Sequence, residues 1–102
     1  MIYIFWTCRD AEEAKRVARA LLEKRLIACA SILPQAESLF RWDGKVEEAR
    51  EAKVLLKTRK GLFEQVAEVI RKLGSYETPE IVEIEAGRAN PAYLEWVMKE
   101  TL

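Results

Sequence analysis

From Ile2 to Thr7 both alternating sets of positions are apolar and β-branched or aromatic residues are frequent, the pattern of a buried strand. The period then lengthens. Asp10 can cap the amide of Glu13 while Glu13 reaches back, and Ala14, Val17, Ala18, Leu21 and Leu22 recur on one helical face, which predicts a helix to about Arg25. Strand patterning returns from Ala28 to Ile32, pauses at Pro34 and resumes from Glu37 to Trp42. Asp43-Gly44 is a two-residue hairpin turn, because both central positions of such a turn need positive φ. Lys45 to Thr58 is then the returning strand, with Trp42 facing Lys45 and Glu37 facing Arg50. Pro34 cannot donate to a ladder, so a bulge or an edge position is expected there. Thr58 is a candidate cap for a second helix with an apolar face of Leu62, Val66, Val69, Ile70 and Leu73, stopping at Gly74. After a loop from Ser75 to Pro79, Glu80 to Ala86 alternates Val82, Ile84 and Ala86 against Glu83 and Glu85, a half-buried strand. Asn90-Pro91 pairs a cap with a first-turn proline and opens a last helix through Leu94, Val97 and Met98.

The order β-α-β-β-α-β plus a terminal helix predicts an α+β, ferredoxin-like sandwich, one domain over residues 1–102 with an additional C-terminal helix. That fold hosts many unrelated functions, so the order alone does not assign one. The arms of the central hairpin are about twice the ~5–6 residue mean strand and should project past the sheet. A projecting hairpin would expose Leu39, Phe40 and Trp42 beside unpaired backbone groups, which self-association would cover.

Composition narrows the functional classes. The 102 residues hold 17 basic and 17 acidic side chains, so the net charge is zero and the basic field on which nucleic-acid affinity rests is missing. Met1 to Cys8 is apolar but lacks a basic leader and is far shorter than the ~20 residues of a membrane span, so no membrane association and a cytoplasmic location are expected. Cys8 and Cys29 are the only thiols and are expected to be reduced. There is no histidine, which removes Ser-His-Asp and Cys-His catalysis and imidazole metal sites. Acidic residues are nearly all Glu, a bias of proteins from hot environments. No enzymatic constellation is readable, and no catalytic residue is assigned.

Several segments together resemble the CutA family, the divalent-cation-tolerance proteins: TCRDAEEA (Thr7 to Ala14), LIACAS (Leu26 to Ser31), SLFRWDGK (Ser38 to Lys45), LKT (Leu56 to Thr58), YETPEI (Tyr76 to Ile81) and YLEW (Tyr93 to Trp96). The resemblance implies a ferredoxin-like subunit in a tight homotrimer, a link to copper and other divalent-cation tolerance, and a general likeness to PII-type signalling trimers. Some family members carry a thiol and a pair of histidines suited to copper. The corresponding positions here are Trp6, Leu73 and Gly74, so that copper site does not transfer and no metal ligand is assigned.

The remaining candidates are Cys29, Lys57, Tyr76, Glu77 and Glu80, which fall in the family segments at expected strand ends and loops. Converging on an inter-subunit cleft, Glu77 and Glu80 would hold a hard cation through oxygen, or Lys57 would bind a small anionic ligand. Otherwise they make structural ion pairs. Cys29 is read as a small buried hydrophobe, or as a soft-metal ligand if a second thiol met it. Cys8 is read as solvent-facing, with Arg9 and the following helix N-terminus as influences that would lower its pKa. Trp42, Tyr93 and Trp96 are read as packing residues, and Asn90 as a helix cap.

Overall fold

The computed structural model describes all residues, 1–102. Its elements are β1 (Ile2–Cys8), α1 (Ala11–Glu23), β2 (Cys29–Trp42), β3 (Lys45–Thr58), α2 (Phe63–Leu73), β4 (Ile81–Glu85) and α3 (Pro91–Glu100). The strands form one antiparallel sheet in the order β2-β3-β1-β4, the expected ferredoxin-like topology.

Register decides which side chains share a face, because directly opposed residues point the same way. Ile32, Val54, Trp6 and Ile81 form one row across the strands, and Ala30, Leu56 and Ile4 form the next. These rows face Ala14, Val17 and Leu21 of α1 and Val66 and Ile70 of α2, and together they make the core. Ile2, Ile4, Val54 and Leu56 are fully buried, each contributing about 1.5–3 kcal/mol. The opposite face carries the rows Cys29–Lys57–Tyr3–Ile84, Ser31–Leu55–Phe5–Val82 and Leu33–Lys53–Thr7. Neither α1 nor α2 covers it.

Local signals in the sequence explain most boundaries. Asp10 Oδ1 accepts from Glu13 N–H at 2.9 Å and starts α1. α1 ends at Glu23, two residues before the expected Arg25, because Arg25 turns to φ 57° and its guanidinium reaches the carbonyls of Lys99 and Glu100 behind α3. Asp43 and Gly44 both have positive φ, as the hairpin turn requires, and the Trp42–Lys45 and Glu37–Arg50 pairs are formed. Pro34 sits in a bulge between Leu33 and Ala36, with Gln35 at φ 55°, so β2 runs on through it as one 14-residue strand. β3 matches it with 14 residues, and the molecule extends 44 × 26 × 21 Å, drawn out by the hairpin.

Two expectations are corrected. Thr58 does not cap α2: it is the last residue of β3, fully buried, and donates to the Leu26 carbonyl at 2.6 Å. The helix instead starts after Leu62 with no side-chain cap. In β4 the alternation is present but its apolar set does not meet the core. The Trp6–Ile81 pairing puts Ile81 on the helix side and turns Val82 and Ile84 to the uncovered face, where they are 46% and 47% exposed. The last helix is anchored mainly by fully buried Val97, with Leu94 and Met98 exposed, while Asn90 caps it through Ala92 N–H at 3.4 Å.

Candidate functional site

The polar residues of the uncovered face separate into two groups along β3, one around Lys53 near the middle of the strand and one around Lys57 at its C-terminal end. In the first, Lys53 Nζ donates to Thr7 Oγ1 at 2.9 Å, and Thr7 Oγ1 donates to Glu80 Oε1 at 2.6 Å. Lys53 also forms an ion pair with Glu80 at 3.5 Å, and Thr7 N–H donates to the Glu80 carbonyl at 3.1 Å. Glu80, just before edge strand β4, is thereby held from one side by β1 and β3, and its carboxylate is engaged by a cation of the same chain.

The loop carrying Tyr76 and Glu77 is fixed from below by Glu13, whose residue exposure is 1%. Glu13 Oε1 accepts from Arg9 N–H at 2.8 Å and Oε2 from Ser75 N–H at 2.6 Å. Burial alone would raise this carboxyl, but the amide donors outweigh it and hold Glu13 below the usual carboxylate range. Tyr76 sits over the same region. Burial and then the facing Glu51 carboxylate push its phenol up to about 12. Glu77 is exposed and makes no ion pair.

Cys8, on the core side of β1 near Glu13 and Tyr76, has its expected state corrected. It is buried rather than solvent-facing, and its thiol is pushed up to about 11, first by burial and then by the Glu13 carboxylate. Arg9 points instead to Asp10, at 3.2 Å. The thiol is therefore neutral and unreactive at ordinary pH.

At the C-terminal end of β3 stands Lys57, the only basic residue that is buried, at 7% exposure. Its amine donates to Ser31 Oγ, lies 3.7 Å from Cys29 Sγ, and sits 6.0 Å from the centre of the Tyr3 ring. None of the three is a carboxylate. Cys29 is half-buried beside a cation rather than enclosed as a hydrophobe. Four residues of strand, about 13 Å, separate Lys57 from Lys53. A single chain thus brings together Thr7, Lys53 and Glu80, sets Tyr76 beside Glu51, and separately gathers Cys29, Ser31 and Lys57, but does not join Lys57 to Tyr76, Glu77 and Glu80. Reasoning on the sequence missed Thr7, Lys53 and Ser31. The Lys53, Leu55, Lys57 alternation was the available signal, since period two places all three on one face.

The donor set does not fit a copper site. Trp6 is 1% exposed and belongs to the core, and Leu73 offers only its carbonyl, which accepts from Arg16 at 3.1 Å. A Cβ at Gly74 would lie 2.8 Å from the Ile70 carbonyl oxygen, so a larger side chain there would require the local backbone to shift. Within one chain, no three His, Cys, Asp or Glu side chains cluster as metal ligands. No helix is long and apolar enough to cross a membrane.

Comparison with known proteins covers nearly the whole chain. Residues 2–100 match the family described as CutA1 divalent ion tolerance protein. The divalent-cation tolerance protein CutA of Pyrococcus horikoshii is 41% identical over 101 residues, covering 99% of this chain and 98% of that protein. Protein CutA of Mus musculus is 39% identical over 97 residues, covering 95% of this chain, and the chain spans only 55% of that longer relative. Among solved structures, one described as the periplasmic divalent cation tolerance protein CutA of Archaeoglobus fulgidus superposes with a TM-score of 0.94 at 39% identity, covering 98% of each chain.

Proposed function

Because the chain belongs to the CutA1 family of divalent ion tolerance proteins, we propose that it works as a homotrimer with a structural or regulatory part in the response to divalent cations, copper included. The observation that carries this reading is apolar surface that one chain leaves uncovered. Leu39, Trp42 and Val46 on the hairpin are 71%, 57% and 67% exposed, and Val82 and Ile84 add a second patch on the open sheet face. Edge strands β2 and β4 also present unpaired backbone groups, and pairing them between copies would satisfy both needs at once. Cation binding is weak and oxygen-based, or absent, in this member, because the soft-ligand positions hold Trp6, Leu73 and Gly74 and Glu80 is already paired. Catalysis is not part of this reading. The cytoplasm is its setting, consistent with the free thiols Cys8 and Cys29, against the periplasmic description of the Archaeoglobus fulgidus relative.

Calorimetric titration of the metal-free protein with copper, zinc and magnesium under reducing conditions tests the metal half of the reading. Dissociation constants of about millimolar or weaker, unchanged in Cys8→Ser and Cys29→Ser, are expected. Micromolar copper binding lost in either variant would contradict it.

A second reading, a sensor with a likeness to PII-type trimers that binds a small anionic ligand between subunits, is favoured by Lys57, a buried amine that makes no ion pair. Nucleotides fit it poorly, since no glycine-rich phosphate loop is present.

A further inference from the structure

The sheet has a gap where β1 stops. β1 pairs with β3 only as far as Cys8 and Ala52, and the chain then turns through Arg9 into α1, so Arg50 and Glu51 have no β1 residue beside them. At that gap lies a cleft of about 270 Å³, walled by Ala11 and Glu12 of the first helical turn, Pro34 and Gln35 of the bulge, and Arg50 and Glu51. Its mouth is on the helix side, where α1 forms one wall and Arg50 shares the face of Ala52 and Val54. None of Leu39, Trp42, Val46, Val82 and Ile84, the apolar residues that association covers, lines it. The bulge also interrupts any ladder a partner strand could build along this stretch of β2, since Pro34 has no N–H and Gln35 turns to φ 55°. The cleft therefore stays open in the proposed homotrimer.

Glu51 is the group the fold leaves short of partners. It is 8% exposed and forms no ion pair. The Tyr76 phenol facing it fills one of about four acceptor positions on a carboxylate, and no amide or cation of the chain takes the others. A buried carboxylate short of donors is stabilised by a ligand that brings several N–H groups, as an ammonium does. Glu12 adds a second carboxylate, exposed and without an ion pair. Charge of the other sign stands beside them. Arg50 is exposed and unpaired, and the N-terminal end of α1 borders the same cleft, so both favour an anionic group. Arg9 and Asp10, the remaining charges in the wall, pair with each other at 3.2 Å. A lone cation would meet Arg50 and a lone anion would meet Glu51, whereas a molecule carrying both signs satisfies both. A metal ion fits poorly, since no three carboxylate or thiol side chains cluster as ligands. Ala11 and Pro34 are the only apolar part of the wall, so a long hydrocarbon tail gains little there.

From this arrangement we infer that the cleft between the start of α1 and the β2 bulge binds a small α-amino acid, its ammonium on Glu51 and Glu12 and its carboxylate on Arg50 beside the α1 N-terminus. The site is complete in one chain and lies apart from the inter-subunit cleft of the sensor reading, so it stands or falls independently of that reading.

Glycine is the probe, with methylamine and acetate as counterparts that each keep one of its charges, titrated into the full chain at neutral pH and followed by amide chemical shifts. Glycine should shift Ala11, Gln35 and Glu51 and bind at least about tenfold more tightly than either counterpart. Arg50→Gln should bring glycine down to the level of methylamine, and Glu51→Gln to the level of acetate. Because Glu51 is buried and its variant risks misfolding, the exposed Arg50→Gln carries the decision. Sedimentation should give the same mass with and without glycine, because the cleft lies outside the associating surface. No binding, shifts confined to another surface, equal binding of glycine and either counterpart, glycine affinity unchanged in Arg50→Gln, or a change of mass on binding would each overturn the inference.

Discussion

The two faces of the central sheet draw on the same strands and end in different states. On the helix side, Ile2, Ile4, Val54 and Leu56 are fully buried under α1 and α2. On the other side, the rows through Phe5 and Tyr3 end in Val82 and Ile84, which stay nearly half exposed, and include Lys57, which is buried and makes no ion pair. A chain of this length supplies helices enough for one face. The second face carries apolar area whose stabilisation is realised only when something else covers it, and it also carries the polar groups of the candidate sites. In the proposed homotrimer, the covered face stabilises the subunit and the open face is left for association.

Charging the open face while sparing the covered one breaks this comparison most severely. The double variant Val82→Asp, Ile84→Asp should convert the assembly to single chains in sedimentation while far-ultraviolet circular dichroism stays unchanged, because neither side chain touches the core. Loss of the fold in that variant, or retention of the full assembly, would remove the distinction between the faces. Truncation on the covered side should act the other way. Leu56→Ala leaves a cavity among Ile4, Ala30 and the helices and should cost about 2–5 kcal/mol in denaturant unfolding without changing the assembly's mass.

Smaller effects sharpen the boundary where the faces meet the loop after α2. Glu13 is a carboxyl held below its ordinary range in the folded chain, so its contribution is fully present above the unfolded pKa and is lost as pH falls through the lowered folded value. Hydrogen exchange should show the Ser75 amide losing protection at acid pH first, and Glu13→Gln should cost about 1–3 kcal/mol at neutral pH with a flatter acid limb. Cys8 has the opposite sign. Its folded pKa is raised from 9.0 to about 11, so its contribution is present below the lower value and lost as pH rises through the upper one. Alkaline unfolding of Cys8→Ser should lose part of that pH dependence, and an unchanged curve would contradict the burial argument.

How much of this was legible depended on whether a local signal or a tertiary contact decided the outcome. The hairpin register was readable because Asp43-Gly44 fixes a two-residue turn and every pair up to Pro34 follows from it. The Asp10 and Asn90 caps were readable for the same local reason. Alternation in β4 gave the period of Val82 and Ile84 but not which face the helices would cover, since that is set by the Trp6–Ile81 pairing. Thr58 looked like a cap until the Leu26 carbonyl, 32 residues away in sequence, claimed its hydroxyl. Among the candidate residues, Glu80 and Tyr76 were found by their shared segment, but Thr7 and Lys53, which engage the Glu80 carboxylate, come from two other strands. The separation of Lys57 from that group is likewise a matter of distance along β3, which residue types alone do not convey.

Equilibrium sedimentation of the unmodified protein at micromolar concentration tests the central claim most directly. The account predicts a single species of three times the 11.8 kDa chain mass, unchanged on dilution across the micromolar range. A stable monomer at those concentrations would contradict it.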